Sequence, residues 1–396
     1  MIKKILIFLL LINICLSENI NFQDSFNEFG ISLFKKINVE NNSDFMISPI
    51  SISYSLMMVN SGASGLTSQD IISALNLNQV NIDSVFSSIK SESNNLNKNF
   101  SINNAIWIQS DKCYKPNLNY VSFVNSVFNG EMSYVNFYNH RLSVIEDINS
   151  WINKASLGTI KDIVSKEDIK KTTTQVLLNS VYFKGQWQIP FDSVDTKLKN
   201  FYSNSSISKI FMMNKKNRFF HYKNSKFHLL EIPYEGNQIS MLIFLPSKKI
   251  NIDSFIEDFN NVALLESIDS LRYEYGDIII PKFRLEFSVS LKDYLIDMGM
   301  DIPFNPKEAN FDKFWSYDNI CKKNPPRNYI DVIKHKTYIE VDEQGTEASA
   351  ATAIIISRIT SIRPMEPFVF NANRPFLYAI YNKTNKSIMF LGKYSG

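Results

Sequence analysis

Phe22, Phe26, Phe29, Leu33 and Ile37 recur at spacings of three and four residues, which puts them on one face of a helix and predicts an amphipathic α-helix early in the chain. From Val176 to Phe183 the pattern becomes a nearly continuous apolar run with Asn179 inside it. That is how a strand covered on both faces reads. Ser240 to Pro246 and Gly276 to Pro281 are shorter apolar runs bounded by turn residues, and they predict two more strands. Leu291, Tyr294, Leu295 and Met298 return to helical spacing. Both periods occur in one chain, so a mixed α+β fold is expected. The Asn- and Ser-rich stretch from Ser91 to Asn104 is expected to be a surface loop or a helix end.

One segment fits neither role cleanly. Glu340 to Ala353 combines Gly345 with a run of small uncharged residues, and Ile354, Ile355, Ile356, Ser357, Arg358 and Ile359 follow. As a strand it would show Thr346, Ala348, Ala350, Thr352, Ile354 and Ile356 on one face, all small or β-branched, with Glu347 and Ser349 on the other. No proline falls between Gly345 and Arg363, so no ladder bond would be lost to a missing N–H. A flexible Ala/Ser linker would not carry three consecutive isoleucines. The segment reads as chain able to be both exposed loop and buried strand.

The residues from Glu343 through Gly345, Thr346, Glu347, Ala348, Ser349, Ala350 and Ala351 resemble the hinge of the serpin family. Phe370 to Ile380 resembles that family's C-terminal pattern, and Asn179 to Trp187 resembles the third strand of its main sheet. Ile148 to Trp151, with Gly158 to Ile160 beyond, resembles the helix lying across that sheet. These four blocks stand in the family's order and span most of the chain. The resemblance implies an α+β serpin fold of three β-sheets and about nine helices, with an exposed reactive-centre loop at about residues 343–366.

It also implies a serine protease inhibitor acting as a suicide substrate. The protease cuts the loop, becomes ester-linked to the new C-terminal residue, and is trapped when the freed loop enters the main sheet. By resemblance, Glu343 and Trp187 sit where the sheet opens, and Ser48, Ser51, Asn179 and His335 form a polar cluster beneath its centre. The family's hinge length sets the cut at Ile359–Thr360, whereas a trypsin-like protease would prefer Arg358–Ile359. Both remain open, with Arg363–Pro364 third; a trypsin-like target is favoured over a chymotrypsin- or elastase-like one. The alternative is a non-inhibitory carrier, storage or chaperone serpin. Such relatives tend to place bulky, charged or proline residues in the hinge, and none occurs at its sheet-facing positions Thr346, Ala348 and Ala350.

Composition adds boundaries. The chain has 396 residues, 44% of them hydrophobic, enough for a large core, and no Pro- or Gly-rich linker divides it. Lys3 and Lys4, the apolar run Ile5 to Ile12, and Cys15, Leu16 and Ser17 form a secretory leader pattern. The expected organisation is a signal peptide at 1–17 and one domain at 18–396, secreted and monomeric. Loss of Lys3 and Lys4 lowers the formal charge from +3 to +1, which leaves no general basic field for nucleic acid. No further segment reads as membrane-spanning.

Cys113 and Cys321 would remain; one disulfide or two thiols are both open, with two thiols the preferred reading. Sequons at Asn41, Asn99, Asn204, Asn382 and Asn385 allow N-glycosylation. His140, His221, His228 and His335 form no H-E-x-x-H pair, and no G-x-S-x-G elbow, phosphate loop or dinucleotide fingerprint occurs. An enzyme is therefore not expected, nor any cofactor or metal. Lys215, Lys216 and Arg218, with Lys322 and Lys323, are the notable basic clusters, read as a solvated face rather than a polyanion site.

Overall fold

The computed structural model describes residues 21–95, 100–203, 206–316, 328–346 and 366–396. Among them are nine α-helices: α1 (Phe22–Glu40), α2 (Pro49–Asn60), α3 (Leu66–Ala74), α4 (Ile82–Asn95), α5 (Leu118–Phe128), α6 (Phe137–Ala155), α7 (Ile252–Asp258), α8 (Asn261–Asp269) and α9 (Lys292–Asp297). The predicted stripe of α1 is its buried face, with Phe26, Phe29, Leu33 and Ile37 in the core. Asn21 starts it by accepting the Gln23 N–H on its side chain, satisfying one donor that the first turn leaves open.

Three sheets occur among the described residues. The largest runs β1 (Phe45–Ile47), β18 (Ser387–Tyr394), β17 (Phe376–Asn382), β10 (Ile239–Pro246), β9 (Phe227–Pro233), β8 (Ile207–Lys223), β11 (Arg272–Pro281) and β16 (Phe368–Asn371), with β7 (Lys197–Tyr202) paired to β8. The second runs β4 (Glu131–Val135), β2 (Phe100–Gln109), β5 (Gln175–Phe183), β14 (Val332–Val341), β15 (Gly345–Thr346) and β6 (Gly185–Gln186), with β12 (Phe283–Ser290) on β14. A ribbon of β3 (Lys115–Pro116) and β13 (Trp315–Ser316) is the third.

β5 explains its own apolar run, because all nine of its residues are buried. Leu177, Val181 and Phe183 face the main core, while Val176, Leu178 and Tyr182 pack beneath α6 against Val144, Ile148 and Ile152. β14 lies beside β5 in parallel, from Val332 opposite Val176 to Tyr338 opposite Tyr182. These two parallel neighbours are not joined by a tight turn, since the chain between them runs from 184 to 331, and their boundary is the seam that a third strand would have to enter.

Two expectations need correction. Ser91 to Asn104 is not all surface: α4 ends at Asn95, β2 begins at Phe100, and Asn104 is buried because it alternates inward with Phe100, Ile102 and Ile106. Cys113 is disulfide-bonded rather than a thiol. Its partner, and with it the Cys113–Cys321 question, lies outside the described residues.

Candidate functional site: the seam of the second sheet

At the centre of the seam, four of the residues singled out in the sequence converge. Ser48 caps α2, and its backbone N–H donates to His335 Nε2 at 3.0 Å. His335 Nδ1 bonds Asn179 Oδ1 directly across the seam, the two residues being partners in the β14–β5 register. Asn179 Nδ2 donates to the Ser51 carbonyl at 3.1 Å and to Asn104 Oδ1 at 2.5 Å, with Ser51 Oγ equally close. Because Nε2 accepts from Ser48, the proton of the neutral ring sits on Nδ1. Burial holds the His335 pKa down at about 3, since a charged imidazole would be desolvated and would lose the Ser48 bond. The cluster fastens β5, β14, β2 and α2 at one point.

At the upper end of the seam the sheet has already begun to take in a strand. Gly345 and Thr346 lie between β14 and β6, Thr346 opposite both Val341 and Gly185. Thr346 is fully buried, and its hydroxyl meets the Tyr234 hydroxyl at 2.7 Å. Gly345 has a φ of +152°, and a Cβ there would stand 2.0 Å from the Gly185 oxygen. Only glycine fits at that position.

The hinge is held by a small set of bonds. Trp187 Nε1 donates to the Asp342 carbonyl and Trp187 N–H to that of Gln344, both at 2.8 Å. The Phe191 N–H reaches the Glu343 carbonyl at 2.7 Å. The Glu343 carboxylate accepts from Lys282 Nζ at 2.7 Å and Thr196 Oγ1 at 2.8 Å. Burial alone would raise that carboxyl, but these two donors keep it below the usual carboxylate range. The geometry suits a gate whose threshold residue, Thr346, is seated, while below it β14 and β5 pair directly with each other from Tyr338 and Tyr182 down to Val332 and Val176.

Residues 24–396 match the family model for serpins, serine protease inhibitors. The chain belongs to the serpin family. It is 32% identical over 386 residues to a leukocyte elastase inhibitor of Xenopus tropicalis, covering 95% of this chain and 99% of that protein. It is 31% identical over 376 residues to a serpin-like protein of Thermococcus kodakarensis, covering 93% and 84%. The structure resembles native protease nexin-1 with heparin at a TM-score of 0.83 and 25% identity, covering 95% and 99% of the two chains. It matches the fold of a thyroxine-binding globulin complexed with thyroxine at a TM-score of 0.82 and 23% identity, over 94% and 98%. Serpins are largely protease inhibitors rather than catalysts, so the expected kind of partner is a serine protease.

Ser48, Ser51, Asn179 and His335 are thus brought together, and Trp187, Glu343, Gly345 and Thr346 meet at the gate. Glu347, Ala348, Ser349, Ala350 and Ala351, and the candidate cut residues Arg358, Ile359, Thr360 and Arg363, lie outside the described residues, as do Asn99, Asn204 and residues 1–20. Of the other sequons, Asn41 accepts the Ser43 N–H, Asn382 that of Thr384, and the Asn385 amide nitrogen donates to Glu92 at 3.0 Å. Lys215 and Lys216 point to opposite faces of β8, the first to the Pro190 carbonyl and the second to Asp277 at 3.7 Å.

Sequence reasoning missed Asn104, Thr196, Tyr234 and Lys282. Each is a polar or aromatic residue whose role depends on a partner tens to hundreds of positions away, so no local spacing marks it. Among the described residues, no cluster suited to a metal ion occurs, and no helix is long and apolar enough to cross a membrane.

Proposed function

We propose that this protein is a secreted inhibitor of a serine protease that acts as a suicide substrate. The observation that carries the reading is Thr346, buried between β14 and β6 at the head of the β5–β14 seam. Extending its register sets Ala348 opposite Ile339 and Phe183, Ala350 opposite Thr337 and Val181, and Thr352 opposite His335 and Asn179. Every one of these inward positions carries a small or β-branched side chain, which fits a packed sheet face.

Full entry of 13 to 15 residues would carry an ester-linked protease roughly 45–50 Å, at about 3.3 Å per residue. A displacement of about 1 Å in a catalytic group can cost on the order of 10²-fold in rate, so such a transit would leave the acyl-enzyme unable to hydrolyse. Secretion is supported by the leader pattern of residues 1–17 and by the disulfide at Cys113, a bond kept in oxidising compartments. A trypsin-like target is supported by Arg358 and Arg363.

The test is to mix the mature protein with trypsin-, chymotrypsin- and elastase-like proteases, run denaturing gels, and sequence the released C-terminal peptide. A band that survives SDS at the summed mass is expected, with the peptide beginning at Ile359 or Thr360. Clean cleavage without a complex by every protease would favour a non-inhibitory carrier instead. If Arg358→Ala leaves trypsin inhibition unchanged, the Arg358–Ile359 cut is removed.

A further inference from the structure

β10 ends at Pro246, and the loop from Ser247 to Asn251 leads from it into α7. Tyr202 closes β7, and Asn373, Arg374 and Pro375 join β16 to β17. Together these segments wall a cleft of about 660 Å³, into which Lys248, Lys249, Ile250 and Ile252 also fall. The walls are bonded to one another. The Tyr202 N–H donates to the Asn373 carbonyl at 2.8 Å, and Arg374 Nε and Nη2 both donate to the Pro246 carbonyl, at 3.1 and 2.6 Å. The volume is that of a small-molecule site.

The charge in the cleft has one sign. Lys248, Lys249 and Arg374 form no ion pair among the described residues. Asp253, in the first turn of α7, is engaged elsewhere, accepting from Asn38 at 3.1 Å and from Lys393 at 3.3 Å. Arg374 is half-buried, and burial lowers its pKa by disfavouring the charged form. The Pro246 carbonyl takes two of its five N–H donors, leaving three with no protein partner among the described residues. A half-buried cation without a counter-charge is costly, and an anion brought to it offsets that cost. Beside the cations stand the apolar Pro246, Ile250, Ile252 and Pro375, with the Tyr202 side chain 46% exposed. We propose that this cleft binds a small organic anion, a sulfate or phosphate ester carried on a flat apolar ring. The free edge of the guanidinium matches the oxygens of the ester head. Lys248 and Lys249 add charge, and Tyr202 offers a ring face to the apolar body. A sulfated polysaccharide would use the charges and leave the apolar wall uncovered. Tyr202 and Pro246 belong to the largest sheet rather than to the seam, so the site stands whether or not the protein inhibits a protease.

Calorimetric titration of the purified protein with naphthyl sulfate, naphthyl phosphate and uncharged naphthol tests it. An ester should bind, the preferred head identifying the anion, and naphthol should bind about tenfold or more weakly. Lys248→Gln with Lys249→Gln should weaken the ester about tenfold or more, whereas the same loss of charge in Lys209→Gln with Lys216→Gln should not. Tyr202→Ala should weaken the naphthyl ester and leave inorganic sulfate or phosphate unchanged. Lys248, Lys249 and Tyr202 are exposed, so these variants should melt with the unaltered protein; Arg374 is left intact because it ties β10 to β17. The proposal is overturned if neither ester binds, if naphthol binds as tightly as the esters, or if the control pair loses affinity equally. Binding of a heparin fragment that is lost in the Lys248 and Lys249 variant, with neither ester bound, would overturn it in favour of a polysaccharide contact.

Discussion

His335 on β14 and Asn179 on β5 are hydrogen-bonded directly across the seam that loop entry would have to part. No strand can pass between them while that bond stands. Nδ1 donates to Asn179 whether or not the ring is charged, whereas Nε2 accepts from Ser48 only in the neutral ring. Protonation of this buried histidine would therefore release α2 at Ser48 while leaving the bond across the seam in place.

Acid should loosen the fold in a defined window. His335 and His228 are both held at about 3, each by burial first, against an unfolded value near 6.5. The unfolded chain thus takes up protons that the folded chain refuses, and stability falls as pH drops from about 6.5 toward about 3. Each group contributes about 1.4 kcal/mol per pH unit across that interval. Urea midpoints at pH 6.5, 5.5 and 4.5 should fall steadily, and His335→Gln should remove about half of the slope. An unaltered slope would mean that His335 does not carry this sensitivity.

At Thr346 the expected result is conversion from inhibitor to substrate. Thr346→Arg would place a cation in a fully buried slot beside Tyr234. The protease would still cut the loop, but entry would stall and the ester would hydrolyse. Titration should show many moles of cleaved protein per mole of protease inhibited; stoichiometric inhibition would contradict the seam mechanism.

How far the sequence reached is clearest at this gate. The buried run of β5 and the stripe of α1 were legible, since each is a local period set by one face of one element; the alternation beyond Thr346 falls outside the described residues. Asn104 was misread because Asn and Ser density suggests a loop, whereas the two faces of β2 decide where each residue of that strand points. Tyr234 was invisible for another reason. It stacks on Trp187 at 4.5 Å and meets Thr346 only because β9 ends beside β6, and nothing in the sequence around Tyr234 encodes that meeting.

Gly345→Ala should separate the native and cleaved states. In the native state the new Cβ would meet the Gly185 oxygen, with φ in a region costly for alanine. Strain of this kind amounts to about 1–3 kcal/mol. The native melting temperature should drop and the hinge should become more sensitive to a non-target protease, while the loop-cleaved form, free to adopt ordinary strand dihedrals there, melts as before. Equal losses in both forms would place the strain elsewhere.

The Lys282–Glu343 pair should contribute little to overall stability. Lys282 is about 40% exposed, and pairs open to water typically yield about 0.2–1 kcal/mol. A double-mutant cycle with Lys282→Met and Glu343→Gln should give a coupling energy in that range. A larger coupling would mean that the pair acts with Thr196 as one unit holding the gate.

Thr352 offers the sharpest test of the register. Stepping from Thr346 by twos sets it opposite both His335 and Asn179 once the loop is in the sheet. Entry breaks the bond between those two side chains, and a hydroxyl arriving between them can replace what each has lost. Thr352→Val should leave native melting unchanged, because the seam is closed there without it. In the cleaved form it would leave a buried polar group unpaired, which costs about 1–3 kcal/mol. The rise in melting temperature on loop cleavage should therefore shrink in the variant. If the rise is unchanged, the inserted strand runs in a different register, and the alignment of Thr346 with Val341 and Gly185 does not continue down the seam.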